Sequence, residues 1–129
     1  PGQRHCCPPY EPRHARLIGL YLPPDARLKL DLVEDHLAGK EMEIGRYYQN
    51  SGKWIAAQIR FQNVVDNFQT TSHAPEALYR LVESSLALGI PTEAKKYAAV
   101  LGANYPGNEW YERAYDLVQD KAPGLAAAS

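Results

Sequence analysis

Long apolar runs and an excess of one charge are both missing from this chain of 129 residues. No stretch approaches the roughly 18 consecutive apolar residues that a helix needs to cross a bilayer, which excludes a membrane-spanning segment. The formal net charge is -1 at pH 7, so the chain lacks the basic field that gathers a protein along a nucleic-acid backbone. Nucleic acid is therefore not an expected partner.

Cysteine is scarce and poorly placed for cross-linking. The only two cysteines, Cys6 and Cys7, are neighbours, and adjacent cysteines cannot link distant segments, which excludes a disulfide framework. With His5 and His14 they have the chemistry of a zinc site, but adjacent thiols lack the spacer that lets two of them reach one tetrahedral ion. Residues 1–22 also lack the basic start, apolar middle and cleavage site of a secretory signal.

Sequence signatures of catalysis are absent as well. The chain contains no phosphate-binding loop, glycine-rich dinucleotide turn or nucleophile elbow. Glu41 and Glu43 stand two residues apart on a predicted helix, where they point to different faces and form no acid–base pair. We predict no enzyme, no cofactor and no metal ion. A small metal-dependent enzyme that uses the N-terminal His and Cys residues is kept as a third hypothesis, after two binding functions.

The amino-acid composition of the chain is that of one globular domain. Hydrophobic residues make up 45% and charged residues 22%, both typical of folded proteins, and the length allows one domain of four to six helices. Helix breakers concentrate near the start of the chain. Residues 1–23 are therefore predicted to be irregular, residues 24–120 to form helical repeats, and residues 121–129 to be a frayed tail.

Apolar residues recur at helical spacing through the middle of the chain. The first predicted helix covers residues 24–51, with Gly39 as a potential break, and the second covers residues 53–67. The spacing that indicates the first helix is carried by Leu30, Val33, Leu37, Ile44 and Tyr48.

Three further helices are predicted. The third is expected to be capped by Ser72 or His73, with Pro75 in its first turn. The fourth is expected to start at Pro91 with Thr92 as its N-cap. A last helix covers residues 109–120, after a turn rich in Pro, Gly and Asn.

Small and apolar residues recur at an offset of 37 positions, which separates both Gly52 from Gly89 and Ala57 from Ala94. Such a register is typical of stacked helical hairpins, where small side chains at the crossing let two helices approach to about 8–10 Å. The roles of the tetratricopeptide pattern fall to Gly45, Tyr48, Gly52, Ala57 and Phe61 in one repeat, and to Val82, Ser85, Gly89, Ala94 and Pro106 in the next.

The predicted fold class is therefore all-α, a tetratricopeptide-like solenoid of helical hairpins with an irregular N-terminal segment. An ordinary helical bundle whose spacing coincides is the alternative. Stacked hairpins need neighbours to bury their apolar faces, and they leave an extended surface open to another protein. A protein-binding scaffold is the function that this architecture favours.

Several segments together resemble one protein family. The sequences PDARL, EIGRYY, GKWIAA, AL and LGANYP stand at residues 24–28, 43–48, 52–57, 77–78 and 101–106. This pattern resembles the BamD family, lipoproteins of the outer-membrane β-barrel assembly machinery. A long helix that ends in a doubled tyrosine and is followed by Gly-x-Trp is not demanded by a generic repeat.

The resemblance implies a scaffold at the periplasmic face of the bacterial outer membrane, joined to the membrane only through a lipid anchor. It also implies protein partners, namely a POTRA domain of BamA type and the small lipoproteins of the same complex. An arginine that faces the POTRA domain in the family matches Arg60 in this chain. Asn63 and Trp54, on the same predicted helix, are the further candidates for partner binding.

The chain departs from the family before Pro24. Nothing in residues 1–22 matches the lipidated cysteine or the additional repeats of the family, and Cys6 follows a histidine rather than an apolar lipobox. We therefore expect either a fragment or an N-terminal stretch that is foreign to the family. A generic tetratricopeptide adaptor that holds a peptide in its concave face is the alternative function.

Overall fold

The computed structural model describes residues 23–121, and this part of the chain consists of five helices without a β-strand. The helices are α1 (Pro24–Asn50), α2 (Trp54–Asn67), α3 (Ala74–Ala87), α4 (Pro91–Asn104) and α5 (Glu109–Lys121). The prediction of an all-α fold with tetratricopeptide-like helical hairpins is confirmed. The predictions made for residues 1–22 and 122–129 lie outside the described residues.

Backbone contacts divide the chain after Val33. The described part of the first unit is residues 23–33, of which residues 24–33 form the first turns of α1. The second unit begins at Glu34 and holds the rest of α1 together with α2, α3, α4 and α5. All contacts described below lie within this second unit.

The core of the second unit uses a different face of α1 from the one that carries Leu37 and Ile44. Its buried residues are Ala38, Met42 and Gly45, whose spacing of four and three positions puts them on one side of a helix. By contrast, Leu37 and Ile44 are 47% and 36% exposed. The apolar spacing indicated a helix without identifying its inner face. The rest of the apolar core is Ala57, Phe61, Val64, Ala74, Ala77, Leu78, Leu81, Val82, Ala94, Leu101, Ala114 and Val118.

Two glycines end α1 and α3 in the same way. Gly52 and Gly89 have φ values of 79° and 78°, in the left-handed region that residues with a Cβ rarely adopt. The residue after each glycine, Lys53 or Ile90, donates its backbone N–H back into the preceding helix over 2.9 Å. This pairing closes the carbonyl end of a helix. The offset of 37 residues therefore relates two equivalent turns.

Glycine also allows two close contacts between helices. A Cβ at Gly45 would lie 2.5 Å from Cε1 of Phe61, so the ring packs directly on the backbone of α1. Gly102 of α4 relates in the same way to Tyr111 of α5, whose Cε1 would lie 2.6 Å from an added Cβ. In both places an aromatic ring takes the space of the missing side chain.

The starts and continuity of two helices differ from the predictions. Pro91 is the first residue of α4 and Ile90 is its N-cap, so the prediction of Thr92 as N-cap was wrong; proline suits this first position because no N–H is needed there. α1 continues through Gly39 without a break. Within residues 23–121, no helix combines the length and apolar character needed to cross a membrane.

The start of α3 uses its polar residues for a contact to α1. His73 occupies the N-cap position, but no side chain caps the helix, so the predicted capping bond is not formed. Instead Ser72 donates to Asp35 from its backbone N–H and its hydroxyl, at 3.3 and 2.8 Å. The imidazole of His73 lies 3.6 Å from the same carboxylate. The hydrogen bonds from Ser72, above all that of its hydroxyl, lower the pKa of Asp35 with help from His73 and outweigh the opposing effect of burial.

Candidate protein-binding surface

The three candidate partner-binding residues all lie on α2, and the structure separates them into two places. Arg60 and Asn63 point toward α1, where both donate to the carboxylate of Glu41. Trp54 lies nine positions before Asn63, which puts it on the opposite side of a helix with 3.6 residues per turn. The structure therefore brings together Arg60 and Asn63 and leaves Trp54 apart from them.

Arg60 uses only one corner of its guanidinium group. Its Nη1 donates to Oε1 and Oε2 of Glu41 at 3.2 and 3.4 Å, a shared and rather long pair of hydrogen bonds. Among residues 23–121, no acceptor pairs with Nε or Nη2. The side chain of Arg60 is 39% exposed, against 19% for Glu41. The Nε–Nη2 edge of Arg60 thus remains open while the opposite corner is held.

Asn63 completes the arrangement that holds Glu41 in place. Its Nδ2 donates to Oε2 of Glu41 at 3.2 Å, and its Oδ1 accepts a hydrogen bond from the side chain of Asn67. A chain of polar side chains therefore runs from Asn67 through Asn63 to Glu41 and Arg60. Such a chain restricts the orientation of the guanidinium group before any partner arrives.

Arg46, in the same unit, uses the Nε–Nη2 edge of its guanidinium group, which is the edge that Arg60 leaves open. Its Nε and Nη2 donate to the two oxygens of Glu76 at 2.9 and 2.7 Å, the two-pronged geometry in which arginine and carboxylate match best. This hydrogen bonding raises the pKa of Arg46. Burial opposes ionisation of Glu76, but the hydrogen bonds and charge of Arg46, with those of Arg80, outweigh it and lower the pKa of Glu76.

Arg80 and Arg113 complete the set of arginines in the second unit. Arg80 donates to Glu76 at 3.4 Å and to Glu83 at 2.8 Å, so both of its bonded nitrogens point at acids within α3. The guanidinium carbon of Arg113 lies 4.8 Å from the centre of the Trp110 ring, and no carboxylate of the described residues pairs with it. Arg60 is therefore held at one corner by Glu41, while its Nε–Nη2 edge has no hydrogen-bond partner among the described residues.

Trp54 is half-buried at the start of α2. It lines a cavity of about 300 Å³ together with Leu86 of α3 and Leu117 of α5. Glu83 and Lys121 stand at the same cavity and supply one charge of each sign. This cavity is small, partly apolar and separate from the Arg60 network.

The repeat residues occupy the inside and the turns of the hairpins. Gly45, Ala57, Phe61 and Ala94 are buried, Tyr48 is half-buried, Gly52 and Gly89 form the two left-handed turns, and Pro106 is exposed between α4 and α5. Their places agree with packing and turn formation, so the surface available to a partner has to be found among other residues.

Sequence reasoning missed two parts of this surface. Glu41 was considered only as one member of an acid–base pair. Its position in the sequence, four residues after Leu37, gave no sign that its side chain reaches α2. Ile55 and Ile59 were not singled out, yet each is 65% exposed. Their spacing of four residues, on the side of α2 away from Ala57 and Phe61, was the signal available in the sequence.

Within residues 23–121, no group of three or more His, Cys, Asp or Glu side chains is placed to hold a metal ion. His5, Cys6, Cys7 and His14, which carried the zinc hypothesis, lie outside the described residues.

Known relatives share most of this chain. The outer membrane lipoprotein family YfiO matches residues 21–101. The outer membrane protein assembly factor BamD of Rickettsia prowazekii is 59% identical over 96 residues, which cover 74% of this chain and 38% of the relative. BamD of Caulobacter vibrioides is 57% identical over 96 residues, covering 74% of this chain and 32% of the relative.

A more distant relative, BamD of Neisseria meningitidis serogroup A, is 33% identical over 91 residues, covering 70% of this chain and 34% of the relative. The chain thus spans about a third of the length of the curated relatives that it matches. No solved structure is significantly similar to it. The match to the family covers well over half of the chain. This chain therefore belongs to the YfiO family of outer-membrane lipoproteins, whose place is the periplasmic face of the outer membrane.

Proposed function

We propose that this chain acts in outer-membrane protein assembly by binding a POTRA domain of BamA type through Arg60. The observation that carries the proposal is the Nε–Nη2 edge of Arg60, which has no hydrogen-bond partner among the described residues, on a side chain that is 39% exposed and held at Nη1 by Glu41. That edge can donate two parallel hydrogen bonds to a carboxylate, as Arg46 donates to Glu76. The partner surface is accordingly expected to present an acidic side chain at this point.

The fixed orientation of Arg60 supports tight binding. A free arginine side chain loses rotamer freedom when a partner orders it, which costs on the order of 1 kcal/mol. Here Glu41 already restrains the guanidinium group, and Asn63 restrains Glu41. Much of the ordering is therefore complete in the free protein, and arginine is among the residues enriched at interface hot spots.

Trp54 belongs to a different contact in this proposal. Its cavity with Leu86 and Leu117 lies apart from Arg60, so one small partner surface does not reach both. We assign this cavity to the small lipoproteins of the same complex, with Trp54 as the aromatic group that they contact. Trp54→Ala is then expected to weaken capture of a small lipoprotein and to leave capture of the POTRA domain unchanged.

The peptide-adaptor alternative finds less support. A peptide held along α1 and α3 would need polar side chains there that are free to bind it. Arg46, Glu76, Arg80 and Glu83 instead pair with one another along these two helices. Breaking such pairs for a peptide would remove stabilising contacts before any were gained.

Calorimetric titration of the full 129-residue chain with the BamA-type POTRA domain from the same genome tests the proposal. Arg60→Glu is expected to abolish binding, because it places a negative charge opposite the partner's acid, a loss of at least about 2 kcal/mol. Arg60→Lys is expected to bind more weakly than the wild type, because an ammonium group lacks the planar fork.

Arg113→Glu is the matched control, since it makes the same charge change at an exposed arginine on α5. It is expected to bind like the wild type. Failure of the wild-type chain to bind, or equal loss of binding in Arg60→Glu and Arg113→Glu, would contradict the proposal.

A further inference from the structure

We draw no further inference here: the strongest candidate, the exposed apolar face of α1 formed by Leu37, Ile44 and Tyr47, carries none, because nothing in the structure, which describes residues 23–121, shows what covers it.

Discussion

The backbone carbonyl of Ser85 does in α3 what the carbonyl of Tyr48 does in α1. Each accepts, at 2.9 Å, the N–H of the residue that follows a glycine with positive φ. The two acceptors stand 37 positions apart, like the two glycines. Since one acceptor is a tyrosine and the other a serine, the repeat is kept by the backbone and not by the identity of the side chain.

Alanine at Gly52 or Gly89 is expected to destabilise the fold by about 1–2 kcal/mol, the cost of a left-handed residue with a Cβ. No other atom lies within 4 Å of an added Cβ at either position, so the effect comes from the backbone alone. Urea denaturation measures it. Asparagine tolerates this conformation better, and Gly52→Asn should therefore unfold at a higher urea concentration than Gly52→Ala; the reverse order would contradict the interpretation.

Gly45→Ala and Gly39→Ala are expected to change stability in opposite directions. An added Cβ at Gly45 meets the Phe61 ring at 2.5 Å, and such overpacking costs about 1–3 kcal/mol. At Gly39 the nearest atom is the side-chain Nε2 of His73 at 3.4 Å, so the gain in helix propensity of about 0.5–1 kcal/mol prevails. Thermal unfolding compares the two.

A second substitution tests the cause of the Gly45 effect. If the Phe61 ring is the obstacle, Phe61→Leu should cost less in the Gly45→Ala background than in the wild type, as a double-mutant cycle measures. Simple additivity of the two costs would show that the ring is not responsible.

Acid should weaken the fold through Glu76. Its pKa in the folded state is lowered by Arg46 and Arg80, which outweigh the effect of burial, so its contribution is complete at pH values above the unfolded-state pKa of about 4.3. The contribution is lost as the pH falls through the lower folded-state pKa. Glu76→Gln should therefore be less stable than the wild type at pH 7, and the difference should shrink below about pH 4. A difference that stays constant with pH would contradict this assignment.

Ser72→Ala should raise the pKa of Asp35 toward its ordinary value. The hydrogen bond from the Ser72 hydroxyl is the largest cause of the lowered pKa and is lost in this variant, whereas the bond from the backbone N–H remains; His73 adds a smaller contribution. Titration of Asp35 by NMR measures the shift, and His73→Ala is the comparison, with a smaller expected change. Equal shifts in the two variants would mean that the order of these contributions is wrong.

The fold could be predicted from the sequence where a physical rule acts locally. Glycine permits the left-handed turn that ends a helix, as at Gly52 and Gly89, and proline is tolerated in the first turn of a helix, as at Pro75 and Pro91, so these helix ends could be predicted from single residues. The inner face of α1 could not be predicted in this way. Leu37 and Ile44 have the helical spacing of core residues, and so do Ala38 and Met42. Two faces of one helix then compete, and only the neighbouring helices decide between them.

The site was less accessible to sequence reasoning than the fold. Arg60 entered through a family resemblance, and its partner Glu41 stands 19 positions away on another helix, a contact that no spacing rule announces. The contact of His73 was missed for a similar reason. His73 was expected to cap its own helix, but its imidazole lies beside the carboxylate of Asp35. A polar side chain can form hydrogen bonds with several different groups, and the tertiary structure determines which of them lies within reach.

The held corner of Arg60 has a geometric consequence for assembly. A point charge attracts a guest from any direction, whereas a flat group with one edge blocked admits a carboxylate in one plane only. In the proposed contact, the angle at which a partner docks on α2 would therefore depend on Glu41 of α1, which the partner need not touch. Placing the glutamate at a neighbouring position of α1 instead would change the docking angle, while the surface charge stayed the same.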